Sequence, residues 1–149
     1  MSQNIEDALS LLAASSEGFL ATLEGESPFV SAVSYIYEPD SGAPGKQGKI
    51  DLFLSRLARH TKNFQKNPNV SLLVVESSAL PIYEKKRVTL QGRIQEVKDE
   101  ERFRKFKAGY LKIFPNAETF FELPDFQFFE IRIAEIHLIA GFGKITTFR

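Results

Sequence analysis

The chain has 149 residues, of which 43% are hydrophobic and 26% are charged, and this is the composition of a globular protein. The length is enough for one compact domain and too short for two ordinary ones, so we predict a single domain over residues 1–149. The 19 Lys and Arg residues balance the 19 Asp and Glu residues. A disordered, collagenous or membrane-spanning chain is therefore excluded, and we expect neither nucleic acid nor a membrane as a partner.

The chain has no cysteine, which excludes disulfides, thiolate metal ligands and a thiol nucleophile, so redox chemistry would require a bound cofactor. Its two histidines, His60 and His137, follow neither the HExxH nor the EF-hand spacing, and we expect no metal site. The N-terminal stretch carries acidic residues where a signal peptide carries basic ones, which indicates a cytoplasmic protein.

The first third of the chain predicts one helix followed by strands. Apolar residues recur at helical spacing over residues 5–12, behind Ser2 as a candidate cap, and Gly18 closes this stretch. The segments that follow are a hairpin of two strands over 19–23 and 28–37, a Pro- and Gly-rich loop over 39–48, and a strand over 50–55.

Strands also dominate the rest of the chain. A charged helix over residues 57–66 is stopped by Asn67-Pro68, because proline disfavours helical geometry in the residue before it. The further predicted strands cover residues 70–76, 87–97, 126–133 and 135–140. Since no regular βαβ alternation appears, the pattern favours a mainly β, α+β fold built on an antiparallel barrel.

Two helical stretches precede the last pair of strands. The first begins with acidic residues and places Phe103, Phe106 and Tyr110 on one face, where we expect core or dimer contacts. The second is a further turn or two of helix over residues 117–123, with Asn116 as its candidate cap.

Cations and hydroxyl groups are concentrated in residues 54–63, where a strand passes into a helix. The first turn of a helix presents unpaired backbone N–H groups and a partial positive charge, which together form a natural anion site. The side chains that would supplement it are Arg59, His60, Thr61 and Lys62. This pattern favours a phosphate monoester as the ligand, and it also fits an ordinary exposed face of a charged helix.

The same residues carry a family resemblance. The segment LSRLARHTKNFQKNPNVSLLVVE resembles the signature of the FMN-binding split barrels related to pyridoxamine phosphate oxidase. Three further blocks are similar and lie in the expected order: FLATLEGESPFVSAVSYIY, KKRVTLQGRIQEV and LPDFQFFEIRIAEIHLIAGFGKI. The S-x-x-A-R-H-x-x-N pattern and the late Gly-Phe-Gly are most similar to the haem-utilisation branch of that family.

The resemblance implies a six-stranded antiparallel split barrel with a few flanking helices, which forms a homodimer with FMN bound in clefts at the subunit interface. The positions that match the family's cofactor contacts are Ser55, Arg59, His60, Thr61 and Lys62 at the phosphate, Ser31, Val33 and Ser34 along the isoalloxazine ring, and Arg87 and Gln91 from the partner subunit. FMN itself supplies the redox chemistry, so the resemblance implies an oxidoreductase that passes electrons from a reduced nicotinamide or another donor to a small substrate.

Other functions are also compatible with the sequence. The chain has no tryptophan, whereas the vitamin oxidases carry a C-terminal segment with tryptophan and arginine, so we do not expect pyridoxamine phosphate oxidation. The haem-degrading members use a histidine beyond the Gly-Phe-Gly, where this chain has only residues 144–149, but haem binding through His60 or His137 is a second candidate function. A third is a non-catalytic flavin-binding module.

The Gly-Phe-Gly itself has two interpretations. Gly141 and Gly143 would let the backbone approach the flavin with Lys144 nearby, or they form a turn with Phe142 packed in the core.

Overall fold

The structure is a computed structural model that describes residues 3–40 and 47–149, so the candidate cap Ser2 and residues 41–46 of the expected loop lie outside the described residues. Three α-helices are present in the described part: α1 Gln3–Ala14, α2 Arg59–Lys66 and α3 Glu100–Ile113. Two 3-10 helices cover Ile82–Glu84 and Pro115–Glu122. The strands are β1 Glu17–Glu24, β2 Ser27–Ser34, β3 Ile36–Glu38, β4 Lys49–Ser55, β5 Asn69–Val75, β6 Lys86–Glu96, β7 Phe126–Ala140 and β8 Ile145–Phe148.

All strand pairs in the described part are antiparallel, in the order β2-β1-β5-β6-β7-β4-β3, with β8 added to the second half of β7. This confirms the mainly β split-barrel class. The expected count of six strands is wrong, because the described residues form eight. One added strand is β8, and the other is β3, which separates from β2 at the buried Tyr35, where the hydroxyl donates a hydrogen bond to the Leu12 carbonyl oxygen at 2.8 Å.

The last two predicted strands are instead one 15-residue strand, β7. A bulge keeps it continuous: Gln91 pairs with Glu135 and Gly92 pairs with Ile133, so Ala134 is left without a partner on β6. The bulge also changes which residues face the interior, from odd-numbered ones such as Ile131 to even-numbered ones. The expected separation near residue 134 is therefore a change of face within one strand.

Helix ends agree with the sequence in part. Helix α2 stops at Lys66, before Asn67-Pro68 as predicted, but it begins at Arg59 because residues 57–58 belong to the preceding turn. The second predicted helical stretch is a 3-10 helix whose cap is Phe114 and not Asn116. Asp99 caps α3, where its carboxylate accepts the backbone N–H of Glu101 at 2.9 Å and that of Arg102 at 3.1 Å.

The barrel interior is lined by aliphatic side chains from every strand except β3 and β8, and α1 covers one end with Ala8 and Leu12. A second cluster is aromatic and lies between α3 and the outer side of β4 and β7. In it Phe53 stacks on Phe121 at 4.1 Å between ring centroids, and Phe106 stacks on Phe128 at 4.3 Å. The aromatic residues on the sheet-facing side of α3 thus belong to this second core cluster.

The connections from β1 to β2 and from β7 to β8 contain glycines with positive φ angles. β1 and β2 are joined by the two-residue turn Gly25-Glu26, in which Gly25 has a φ of 63° that non-glycine residues rarely adopt. The Gly-Phe-Gly forms a turn that connects β7 to β8, as the second of its two interpretations has it, but Phe142 is 84% exposed, so the packing of Phe142 in the core that this interpretation includes is wrong. Among the residues described, no helix has the length and apolar character needed to cross a membrane.

Candidate cofactor site

The connection from β4 to α2 is fixed by its hydroxyl groups. Ser55 Oγ donates to Asp125 Oδ2 at 2.7 Å and accepts the Leu57 backbone N–H at 3.1 Å. The buried Thr61 hydroxyl donates to the Ser55 carbonyl oxygen at 2.7 Å. The Thr61 hydroxyl proton is thus used within the connection and the Ser55 hydroxyl proton by Asp125, and these bonds hold the start of the helix in place.

The N-terminus of α2 has the features of an anion site. Its cap residue is Ala58, which provides no side-chain hydrogen bond, and its first turn contains no acidic residue. The first amide within the helix to find a main-chain acceptor is that of Lys62, which donates to the Ala58 carbonyl oxygen at 3.1 Å. An uncapped helix start with basic neighbours favours a bound anion, because the partial positive charge of the helix N-terminus and its unpaired N–H groups both attract a negatively charged ligand.

Two cations stand beside this helix start. Arg59 forms a bidentate ion pair with Glu24, from Nε to Oε2 at 2.7 Å and from Nη2 to Oε1 at 3.0 Å, and its guanidinium lies 4.3 Å from the centroid of the Phe29 ring. The hydrogen bond from Arg59 lowers the pKa of Glu24. Lys62 is exposed and forms no ion pair with any residue in ranges 3–40 and 47–149.

His60 occupies the other side of the first turn. Its ring is half-buried and nearly parallel to that of Phe64, with an interplanar angle of 16° and 6.5 Å between ring centroids. Burial lowers the pKa of His60, which favours the neutral imidazole at pH 7. Its Nε2 atom is buried with no hydrogen-bond partner among the described residues. This leaves one orphaned ring nitrogen beside the helix start.

The β2 residues expected to line the flavin ring lie on the hairpin that α2 covers. Asn63 of α2 donates to the Thr22 hydroxyl of β1 at 3.0 Å, which fixes the helix on the inner side of the hairpin. Ser31 is half-buried and Val33 is buried on β2. Ser34, with Val33, borders a cleft of about 360 Å³ beside Phe19.

Arg87 and Gln91 lie elsewhere in the same chain. On β6 the buried residues are Val88, Leu90 and Gly92, so Arg87 and Gln91 point to the opposite, outer face of the sheet. Arg87 donates to the Ile82 carbonyl oxygen. Gln91 borders an outer-face cleft of about 590 Å³. A single chain therefore brings the phosphate segment together with the β1–β2 hairpin, but not with the two β6 residues.

A buried charge network, not expected from the sequence, lies under α3. Arg102 reaches down from the helix, and its Nη1 donates to Glu130 Oε1 at 2.6 Å while its Nη2 donates to both oxygens of Asp51 at 3.1 and 3.2 Å. Asp51 and Glu130 are direct cross-strand partners on β4 and β7, and they are 4% and 2% exposed. The guanidinium thus joins two buried carboxylates that would otherwise repel each other.

The two carboxylates of this network have different surroundings. Burial alone would raise the pKa of Glu130, but hydrogen bonds from Arg132 at 3.0 Å and from Arg102 lower it below its ordinary value. Glu130 also accepts from Gln95 at 3.0 Å. Among the described residues Asp51 accepts hydrogen bonds from Arg102 alone, and burial raises its pKa to about 6 despite that partner. Of the two carboxylates, Asp51 is therefore the one that takes up a proton first as the pH falls.

The described residues contain no group of three or more His, Asp and Glu side chains arranged to hold a metal ion. His137 is half-buried on β7, and its Nδ1 lies 2.9 Å from the Thr147 hydroxyl oxygen of β8. Neither His60 nor His137 is part of a ligand cluster formed by residues 3–40 and 47–149.

Most of the chain is similar to one known protein family. The family described as pyridoxamine 5'-phosphate oxidase matches residues 5–140, which is nearly the whole chain. The chain belongs to the pyridoxamine 5'-phosphate oxidase family. The match includes the α2 segment, the β1–β2 hairpin and both β6 residues, so all candidate cofactor residues lie inside the family region.

Several proteins with solved structures share this fold. A haem-binding protein from Mycobacterium smegmatis is 27% identical over 99% of this chain and 58% of its own length, with a TM-score of 0.83. The haem storage protein HutZ from Vibrio cholerae is 20% identical over 89% of this chain and 92% of its own, with a TM-score of 0.71. An FAD-binding protein from Mesorhizobium loti is 20% identical over 91% and 92%, with a TM-score of 0.67.

The likenesses to HutZ and the FAD-binding protein are likenesses of fold. The chain spans less than two thirds of the length of the mycobacterial protein. No curated protein matches the chain.

Proposed function

We propose that the protein binds FMN, with the cofactor's phosphate at the N-terminus of α2, and acts as an FMN-dependent oxidoreductase on a small substrate. The observation that carries the proposal is the uncapped, acid-free helix start beside Arg59 and Lys62, in a chain of the pyridoxamine 5'-phosphate oxidase family. When bound, FMN supplies the hydride and electron transfer, and the protein supplies binding, orientation and solvent exclusion.

The residues at the site have distinct roles in this proposal. Arg59 and Lys62 provide charge-assisted hydrogen bonds to the phosphate, and the first-turn amides of α2 provide the remaining donors. Ser55 and Thr61 hold the helix start in place through the hydrogen bonds described above. His60 contributes a neutral ring that can donate from one nitrogen only.

We further propose that the working unit is a homodimer with FMN at the subunit interface. Arg87 and Gln91 would then reach the flavin of the partner subunit, since they point away from the phosphate segment of their own chain. The outer face of the sheet carries exposed apolar side chains that a second copy would cover, including Phe19 at 47% and Val30 at 60% exposure.

The test is FMN binding by the wild type and by the double variant Arg59→Ala/Lys62→Ala, measured by visible absorption after desalting and by fluorescence titration. Losing two charge-assisted hydrogen bonds should weaken FMN binding by more than about tenfold. The matched control is Arg56→Ala/Lys66→Ala, which removes the same charge from exposed positions before the helix and in its last turn. Equal FMN affinity in the two double variants would refute the phosphate assignment.

Haem binding is the second candidate, because the mycobacterial relative is a haem-binding protein. Haemin titration separates the two functions. A sharp Soret band that shifts in His60→Ala or His137→Ala, in a protein that does not retain FMN, would favour haem. Retention of FMN without turnover, tested with reduced nicotinamides as donors and a dye as acceptor, would favour a non-catalytic flavin-binding module.

A further inference from the structure

Among the described residues, Glu24 is the carboxylate that pairs with the proposed phosphate anchor. It is the last residue of β1, next to the Gly25-Glu26 turn, and both its oxygens accept from Arg59, at 2.7 and 3.0 Å. The same hairpin supplies Phe29, whose ring lies 4.3 Å from the Arg59 guanidinium. The hairpin therefore fixes both the position and the hydrogen-bonding edge of Arg59.

A carboxylate and a phosphate use the same part of a guanidinium. Both accept two parallel N–H bonds from its planar fork, so the Nε and Nη2 donors held by Glu24 are the ones that a phosphate would take in the same geometry. The two anions would also repel each other at this distance. Lys62, in contrast, has no competing partner among the described residues and stays available to an incoming anion.

We propose that Glu24 is a built-in competitor for the phosphate site, which occupies Arg59 when the site is empty and must release it when a phosphorylated cofactor binds. The proposal rests on the function proposed above and assigns regulation of affinity to a residue outside the helix. Its consequence is specific: Glu24 weakens binding of flavins that carry a phosphate and leaves flavins without one unaffected.

The competition acts across the physiological pH range. The hydrogen bond from Arg59 lowers the pKa of Glu24, so the carboxylate stays ionised well below neutral pH. Both partners are solvent-exposed, with side-chain exposures of 62% for Arg59 and 47% for Glu24, so water and salt screen the pair. The competitor is therefore displaceable, and its effect is a modest shift in affinity.

The experiment titrates FMN and riboflavin into the wild type, Glu24→Gln and Glu24→Lys at fixed ionic strength, with Glu26→Gln as the matched control. Glu26 lies two residues away in the same turn, is exposed, and forms no ion pair with described residues. We expect Glu24→Gln to lower the Kd for FMN by about two- to fivefold, the size of one exposed ion pair, and Glu24→Lys to lower it further. Riboflavin affinity should not change, and Glu26→Gln should match the wild type.

A second arm tests the route through Arg59. In an Arg59→Ala background the gain from Glu24→Gln should shrink to the part that comes from direct repulsion between Glu24 and the phosphate, because the two anions then have no shared partner to compete for. An unchanged or raised Kd for FMN in folded Glu24→Gln would overturn the inference, and so would a gain of equal size for riboflavin or in the Arg59→Ala background. Absence of FMN binding by the wild type would instead refute the proposed function itself, and the inference with it.

Discussion

Replacing Asp51 by asparagine should stabilise the protein at neutral pH and remove a specific part of its pH dependence. Asp51 is 4% exposed and faces a second buried carboxylate, Glu130, directly across the β4–β7 pair. Arg102 is its hydrogen-bonding partner, while Glu130 also accepts from Arg132 and Gln95. An asparagine would keep one acceptor oxygen for Arg102 and would bring no charge into the buried site.

The magnitude follows from the raised pKa of Asp51. Burial raises it from an ordinary value of 3.8 to about 6. The native state then holds the proton more tightly than the unfolded state, so this group's favourable contribution is complete below pH 3.8 and is lost as the pH rises through 6. A difference of about 2 pKa units corresponds to about 3 kcal/mol of free energy of unfolding between the two ends of that window.

The assay is urea denaturation of the wild type and Asp51→Asn at several pH values between 4 and 8, followed by far-UV circular dichroism. The difference between the two proteins should favour the variant by about 1 to 3 kcal/mol at pH 7 and should shrink as the pH falls towards 4. Taking the difference removes the contributions of the other titrating groups, which both proteins share. His60 is one of these groups: because burial lowers its pKa, its contribution to stability is lost as the pH falls through the ordinary titration range of histidine.

The exposed carboxylate Glu118, changed to glutamine, is the control and should give a flat difference. If Asp51→Asn is destabilising at pH 7, the predicted stabilisation is wrong. If the difference between the two proteins does not depend on pH, the assignment of the raised pKa to Asp51 is wrong.

Two further predictions concern packing. Phe53→Ala should lower the free energy of unfolding by about 3 to 5 kcal/mol, because the Phe53 ring contacts the rings at the centre of the aromatic cluster. The control in the same denaturation experiment is Phe120→Ala, since Phe120 is 46% exposed. Gly92→Ala should be strongly destabilising, because its Cβ would lie 2.1 Å from the Arg132 carbonyl oxygen. Gly109→Ala, within α3, meets nothing closer than 3.9 Å and should stabilise by about 0.5 to 1 kcal/mol, so equal thermal shifts in the two glycine variants would contradict this account.

The strands were predictable because most of them alternate between a buried and an exposed face. β5 shows this plainly: Val70, Leu72 and Val74 are buried, and the residues between them are more exposed. β7 was not predictable as one strand, because its alternation changes phase at Ala134, and a phase change in sequence is indistinguishable from a break between two strands. The pairing of Gln91 with Glu135 that keeps the strand continuous comes from β6, far away in sequence.

The sequence predicted which residue types form the candidate site, but it did not predict their hydrogen-bond partners. The sequence places Ser55 and Thr61 at the junction, but the acceptor of the Ser55 hydroxyl is Asp125, 70 residues later. The network under α3 had one visible signal, since Asp51 and Glu130 each interrupt an apolar run of a predicted strand. No spacing connects them with Arg102, because the three residues lie on two strands and a helix that only the folded sheet brings together.

The position of β7 in the sheet governs when the fold can be completed during synthesis. Strand β4 pairs only with β3 and β7 in the described structure, so β4 and β3 join the rest of the sheet only through β7. While the ribosome has released the chain only as far as α3, strands β2, β1, β5 and β6 can already pair, but the apolar side chains of β4 have no strand to connect them with that sheet. We therefore expect Leu52 and Leu54 to be buried against the rest of the sheet only after residues 126–140 have been synthesised.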